Sequence, residues 1–455
     1  RTVTVATFED AYTGKSFTYL NTHLDHMGRE ARKNSVLQLC RLADDCQGPV
    51  LIGGDLNCYN VARAFFEAYR VRSYVFGRYE TSAVKASKLI HFIPSPNMDD
   101  PEIFVSTLLD FAKEHPQKNK ILIGCTDEYV RLILKNRDKL KNDYLFSCAD
   151  GDISDILSSK ERFYELCFEK NIPYPKSYIF SPDMMISESC LSERAIGFSY
   201  PIVIKPSVGY LYRQYPFANM KNVYIAKNEE DAKRILDGIF QSGYPQNVII
   251  QDYIPGDDDC IFVLTCYSDQ SGKVRMSCLG HVLVDEHNKK GFGNHAAIIS
   301  EKHPEIVKIF KNFLEDIGYR GFSNFDIKYD ARTKTFAVLE MNLRQSHSNY
   351  YVTAQGFNIA KLLVSDLING AFEDEYLENT HSVFWSSVPK KIVYDYTRSN
   401  EMVKMAKILK KHKFYKSSLW YAHDLLLNPR RLFYVSASSL NHFLKFRKYL
   451  AKPQR

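Results

Sequence analysis

Two segments constrain this chain more than any others, NFDIKYD at residues 324–330 and VLEMNLRQ at residues 338–345. Side chains of an extended strand alternate between two faces, so Glu340, Asn342 and Arg344 share one face while Leu339, Met341 and Leu343 share the other. An acid, an amide and a guanidinium then stand in a row, and a hairpin brings Asp326 opposite Glu340 or Asn342. Two carboxylates and an amide oxygen are hard oxygen donors, of the kind Mg²⁺ takes when phosphate oxygens complete its shell. The bland reading of the same pattern is an exposed polar sheet face.

The surrounding sequence is rich in strands. YPIVIKP, NVYIA, NVIIQDYI, IFVLTCYS, VRMSCLGHVLV and FAVLEMNL are interrupted by helical patterns near Glu229 to Phe240 and His303 to Ile317. That order predicts an α+β unit, a large antiparallel sheet with helices on one side. A helix is predicted from Ser158, as its cap, to Lys170, where Asn171-Ile-Pro-Tyr-Pro175 stops it. Lys205 ends an apolar strand, where its ammonium needs a partner or a phosphate unless it snorkels to the surface. Gln251 and Asp252 precede an extended Tyr-Ile-Pro-Gly connection whose backbone can meet a purine edge, and Asp258 beyond it can accept ribose hydroxyls. Taken alone, Pro-Gly before three aspartates is a turn. Upstream, PVLIGGDLN, a helical pattern from Asn60 to Ala68, RSYVFGR and ILIGCTDEYVRLIL predict parallel βα units over residues 49 to about 150.

At 455 residues the chain exceeds one ordinary core, and 45% hydrophobic with 25% charged residues is globular rather than disordered. No apolar run reaches the roughly 18 to 20 residues of a membrane span, and RTVTVATFEDAY lacks a signal-peptide core, so a soluble cytoplasmic protein is expected. The first residue is not methionine, and a fragment is expected. The 10 cysteines form no C-x-x-C pair and read as reduced thiols. The net charge of +7 is uneven: residues 376–455 hold 16 Lys and Arg against 4 Asp and Glu, which leaves −5 on the rest. Such a tail can dock a polyanionic substrate, touch the inner membrane face or pack on the core, and its charges can equally be a solvated helical face.

Five pieces in order then carry a resemblance: Lys160 in SSKERFYELC, Lys205 in VIKP, the hinge IIQDYIPG, Asp326 in FDIKYD, and the E-x-N-x-R of EMNLRQ. Together they resemble the ATP-grasp superfamily over residues 49 to 395. The resemblance implies a parallel βα domain followed by two α+β subdomains clasping ATP. It also implies that Lys160 and Lys205 contact phosphates, that Gln251, Asp252 and Ile254 frame adenine, and that Asp258 binds ribose. Asp326, Glu340 and Asn342 would hold Mg²⁺, and Arg344 would clamp a substrate carboxylate or the tetrahedral intermediate. In the implied reaction the carboxylate takes the γ-phosphate of ATP and the acyl phosphate is captured by an amine. One departure stands out: the usual glycine-rich phosphate loop is replaced by SVGYLYRQYPFANMKNVY, in which Gly209 is the lone glycine and Arg213 or Lys221 would supply charge. GGDLNCYNVARAFFEAY, GCTDEYV and NLRQSHSNYYVTAQGFN are further similar to the bacterial amino-acid ligases that include the D-aspartate ligases of cell-wall synthesis. That likeness implies an amino-acid substrate and an amine acceptor on a peptidoglycan precursor, with no nucleic-acid partner.

Residues 1–57 tell a second story. VATFEDAYTGKSFTYLNTHLDH and PVLIGGDLN resemble the later half of the endonuclease/exonuclease/phosphatase superfamily, with His23, Asp55 and Asn57 at its metal-assisted site. The upstream glutamate and downstream Ser-Asp-His segment of that fold are missing, so nuclease activity is not expected. A hairpin about YTGK and a helix over Arg29 to Asp44 are predicted here. The domain expectation is a partial segment over 1–50, a βα domain over 51–150, an ATP-grasp domain over 151–375 with a lid at about 185–255, and a basic helical extension over 376–455.

Overall fold

The computed structural model describes residues 3–9, 16–22, 50–53, 55–116, 119–186, 190–287, 291, 293–372 and 375–453. β1 (Val3–Glu9) and β2 (Ser16–Thr22) pair antiparallel, with Val3 opposite Thr22 and Glu9 opposite Ser16, as the hairpin pattern predicts. His23 and the helix predicted over 29–44 lie outside the described residues.

Five parallel strands follow: β3 (Val50–Ile52), β4 (Ser73–Gly77), β5 (Ile90–Pro94), β6 (Lys120–Gly124) and β7 (Tyr144–Leu145), in the order β5-β4-β3-β6-β7. Leu51, Val75 and Leu122 are buried because helices cover both faces of a parallel sheet. The helix Leu56–Tyr69 begins four residues ahead of the predicted pattern, since the Asp55 carboxylate accepts from the Cys58 amide at 3.1 Å and caps it there.

A second layer is antiparallel, β8 (Ser177–Phe180), β9 (Ile202–Pro206), β10 (Tyr224–Ala226) and β11 (Val248–Asp252), in the order β10-β9-β11-β8. One face packs Ile202, Ile204 and Ile250 against Ala232, Leu236 and Ile239 of the helix Glu229–Gln241. Alternation turns Lys205, opposite Ile249, to the other face, and Gln251, opposite Val203, goes with it.

The largest sheet has 8 strands. They are β12 (Ile261–Ser268), β13 (Val274–Asp285), β14 (His295–Ser300), β15 (Gly321–Asp330), β16 (Thr335–Asn342), β17 (Leu377–Glu378), β18 (Phe384–Ser386) and β19 (Tyr415–Ser417). Their order is β16-β15-β12-β13-β14-β18-β19, with β17 beside β13. Phe310, Phe313 and Leu314 of the helix Pro304–Asp316 cover one face through Leu264 and Phe325. The helix predicted from Ser158 instead starts at Lys160 with Ser159 as its cap, because a separate helix, Gly151–Ser158, ends just before it.

Residues after 375 do more than extend the chain, for β18 and β19 lengthen the main sheet beyond β14. The final helix, Pro429–Tyr449, is tied to the short helix Ala422–Leu425 by a buried ion pair, Arg431 Nε to Asp424 Oδ2 at 2.8 Å, both side chains 0% exposed, and Arg431 Nη1 donates to the Ser82 and Lys85 carbonyls of the parallel domain. Tyr59 and Ser87 hydroxyls and the Lys88 amide also donate to the Asp424 carboxylate. The inner side of the basic tail therefore packs on the core. Among the described residues no helix is long and apolar enough to cross a membrane, and the cysteines are free thiols.

Candidate active site

The hairpin β15–β16 sets Asp326 directly opposite Glu340 and Asn324 opposite Asn342, with a bulge after Asp326. Of the two positions open to Asp326 from sequence, Glu340 is thus its cross-strand partner. Asn342 Nδ2 donates to Asp326 Oδ2 at 3.3 Å. β16 ends at Asn342, so Arg344 stands in the bend beyond it, yet its Nη2 still reaches Asn342 Oδ1 at 3.4 Å.

Two lysines face these acids. Lys160, first in its helix, pairs with Glu340 at 3.1 Å. Lys205 is 5% exposed and donates to the Tyr164 hydroxyl at 2.6 Å and to the Leu339 carbonyl at 3.0 Å. Tyr164 lies one turn after Lys160 on the same helix, so both lysines are positioned by that helix. Burial first, then the Lys160 charge, brings the Lys205 ammonium down to about 7. The charge of Lys160, acting against burial and with help from Lys205, holds Glu340 at about 2. Burial shifts the adjacent Asp326 the other way, upward. Two acids on facing strands with an amide beside them fit a hard divalent cation. Among the described residues no group of three or more His, Cys, Asp or Glu side chains is placed to hold a metal ion, so beside Asp326 and Glu340 the shell would have to be filled by the Asn342 amide oxygen and by phosphate oxygens or water.

The depressed pKa of Lys205 has a consequence for stability. The unfolded chain keeps the proton to about pH 10, whereas the folded chain releases it near 7. Lys205 therefore weakens the fold at low pH, and the penalty fades as pH rises from about 7. Lys205→Met is expected to raise the melting temperature at neutral pH, read by circular dichroism, and to flatten the rise in stability above pH 7.

Arg344 links this centre to the parallel domain. Its Nε and Nη2 engage Asp127 Oδ1 and Oδ2 at 3.0 and 3.2 Å, and its Nη1 donates to the Gln345 carbonyl. Asp127 opens the helix Asp127–Lys135 that Thr126 caps. A small cavity of about 30 Å³ lined by Gly124, Ser147, Cys148, Phe322, Arg344 and Gln345 adjoins this pair. Asn57 is 2% exposed and is spent on bracing: its Nδ2 donates to the Cys125 and Gln345 carbonyls at 2.9 and 2.8 Å. With Asp55 capping the helix Leu56–Tyr69 and Asn57 tying it to the segments around Cys125 and Gln345, both side chains are engaged within the fold.

The hinge residues divide. Gln251, 2% exposed, donates to Ser177 Oγ at 2.7 Å and accepts from the Tyr164 hydroxyl at 3.4 Å, so it stands with the lysines. Ile254 is buried nearby in sequence. The Asp252 carboxylate is clamped by Arg332 at 2.9 and 3.3 Å, and its amide donates to the Lys176 carbonyl. Asp258 Oδ2 accepts from the Asp285 amide at 2.9 Å and pairs with His287 at 2.8 Å. Arg213 and Lys221 are exposed on the loop after β9, where Gly209–Tyr212 forms a short helix.

Sequence reasoning passed over His295, Tyr164 and Asp127. His295 is wedged between Asp285 at 2.7 Å and Asp326 at 3.3 Å. Burial opposes its charge, but Asp285 and then Asp326 push it to about 10. A histidine opening the apolar run HAAIIS was its one sequence signal.

No family model matches the chain. It is 33% identical to the D-aspartate ligase of Enterococcus faecium (strain Aus0004) across 88% of this chain and 96% of that protein. Among solved structures it resembles an L-amino acid ligase from Bacillus licheniformis, with a TM-score of 0.51, 13% identity, and 72% and 77% of the two chains covered. It also resembles the biotin carboxylase domain of 2-oxoglutarate carboxylase from Hydrogenobacter thermophilus, solved with MgADP, ADP and bicarbonate, with a TM-score of 0.54, 15% identity, and 72% and 71% covered. The fold and the convergent site together define an ATP-grasp enzyme, a carboxylate–amine ligase. Within that class the chain belongs to the D-aspartate ligase family.

Proposed function

We propose that this protein activates the carboxylate of an amino acid with ATP and joins it to an amine of a peptidoglycan precursor. One observation carries the reading: Lys160, Lys205, Asp326, Glu340, Asn342 and Arg344, from four separate segments, gather at one centre with cations facing acids. The name of the Enterococcus faecium relative points to D-aspartate as the amino acid, and the need for ATP points to the cytoplasm.

Asp326, Glu340 and Asn342 would hold Mg²⁺, which supplies charge neutralisation to the phosphates when bound. Lys160 and Lys205 add positive charge where the transferring phosphoryl group develops its own, and Tyr164 keeps Lys205 aimed there. Arg344 exchanges its bidentate contact with Asp127 for the substrate carboxylate, since a planar guanidinium binds either in the same fork geometry. Gln251, Asp252 and Ile254 would frame the adenine, and Asp258, already oriented by His287, would accept the ribose.

ADP release on mixing the protein with Mg-ATP, D-aspartate and a peptidoglycan precursor that carries a free amine is the direct test. Cleavage of a generic phosphodiester with no ADP would sink the proposal. Arg344→Lys is expected to lower kcat about a hundred-fold while the KM for ATP changes little. Equal losses in turnover and ATP affinity would remove Arg344 from the carboxylate.

A further inference from the structure

The outer side of the final helix is apolar. Phe433, Leu440 and Leu444 fall at helical spacing on one side of Pro429–Tyr449 and are 67%, 62% and 61% exposed. Leu432 and Phe443 widen the stripe, and Leu426 and Leu427, 68% and 89% exposed, extend it before the helix begins. The Trp420 indole, itself exposed, donates to Ser439 on the same helix at 3.3 Å. Arg430 at one end and Arg447 and Lys448 at the other are exposed, and no aspartate or glutamate occurs after Asp424. The opposite side is fixed to the protein by Arg431, Val435 and Phe446, so the stripe is held outward by a buried anchor.

We propose that this face docks on an anionic lipid surface. Charge complementarity selects that occupant. Apolar side chains of this length enter the boundary of headgroups and acyl chains, the arginines and lysine meet lipid phosphates, and an indole suits the interfacial region. A second copy of the chain fits less well, because pairing the stripe with itself brings Arg430, Arg447 and Lys448 against one another with no acid between them. Docking is a property of the tail and does not depend on which amino acid or amine the ligase site takes.

The test is sedimentation of the full chain with vesicles of phosphatidylcholine alone and of phosphatidylcholine mixed with phosphatidylglycerol. Binding is expected to the mixed vesicles, weakening as salt is raised, with little to the neutral ones. The combined variant Phe433→Ser, Leu440→Ser, Leu444→Ser is expected to lower that binding about ten-fold or more, with melting temperature and ADP release unchanged. Arg447→Glu with Lys448→Glu should reduce it on the mixed vesicles alone. Failure of the native chain to bind the mixed vesicles, or equal binding by the triple variant, would overturn the proposal. So would a lipid-free dimer, seen by light scattering, that the same three substitutions break.

Discussion

Glu340→Gln is expected to lower kcat/KM for ATP-dependent ligation by about a thousand-fold with the fold intact. The carboxylate lies 3.1 Å from Lys160 and opposite Asp326, and its low pKa keeps it ionised throughout the working range. Glutamine has the same shape and no charge. Two ammonium groups would then face a site holding one acid of raised pKa, and the oxygen set offered to a divalent cation would lose its strongest member. Measured ADP release should collapse, and the circular dichroism melt at neutral pH should fall, because the stabilisation that ionised Glu340 contributes there is lost. The same substitution should alter acid sensitivity. Because Glu340 is depressed in the folded chain, it stabilises above the ordinary glutamate pKa of about 4.3, and that contribution is lost as pH falls toward about 2. Full activity in the variant would mean that the acids of this hairpin do not serve the reaction.

The second large effect concerns stability. Asp424→Ala is expected to destabilise the protein by about 3–5 kcal/mol, because it strands the Arg431 guanidinium in a site with no access to water. Three further donors, from Tyr59, Ser87 and Lys88, would lose their acceptor at the same time. Urea unfolding followed by tryptophan fluorescence would read the change, since Trp385 is buried in the sheet that the tail completes. Replacing both partners by apolar residues, Asp424→Leu with Arg431→Met, should recover most of the loss, as neither charge then remains unpaired. A loss under about 1 kcal/mol in the single variant would show that water reaches the pair after all.

Much of the candidate site was legible because a strand alternates with a period of two. That regularity put Glu340 and Asn342 on one face, and a short hairpin did the rest by setting Asp326 across from Glu340. The strand ending at Lys205 was legible for the same reason, whereas the lysine's partners were not: Tyr164 is 41 residues away and Leu339 is 134. Asp127 and Arg344, 217 residues apart, carry no local mark of their pairing. The hinge was read for its backbone, and the structure adds that Arg332 clamps the Asp252 side chain. Ser159 rather than Ser158 became the helix cap because a neighbouring helix competes for Ser158, and local propensity does not rank two adjacent serines.

The tail shows the same division. Its charge excess and helical pattern were visible in the residues, but its burial of Arg431 against Asp424 and its strands in the main sheet were not. Periodicity and residue chemistry by themselves determined the strands, the helices and the kinds of ligand group this protein carries, because those depend on neighbours a few positions away. Which acid meets which cation, which charges are buried, and which side of the last helix is left facing outward were decided by tertiary packing. Coulomb interaction and desolvation depend on distance in space, and the folded chain alone supplies that distance.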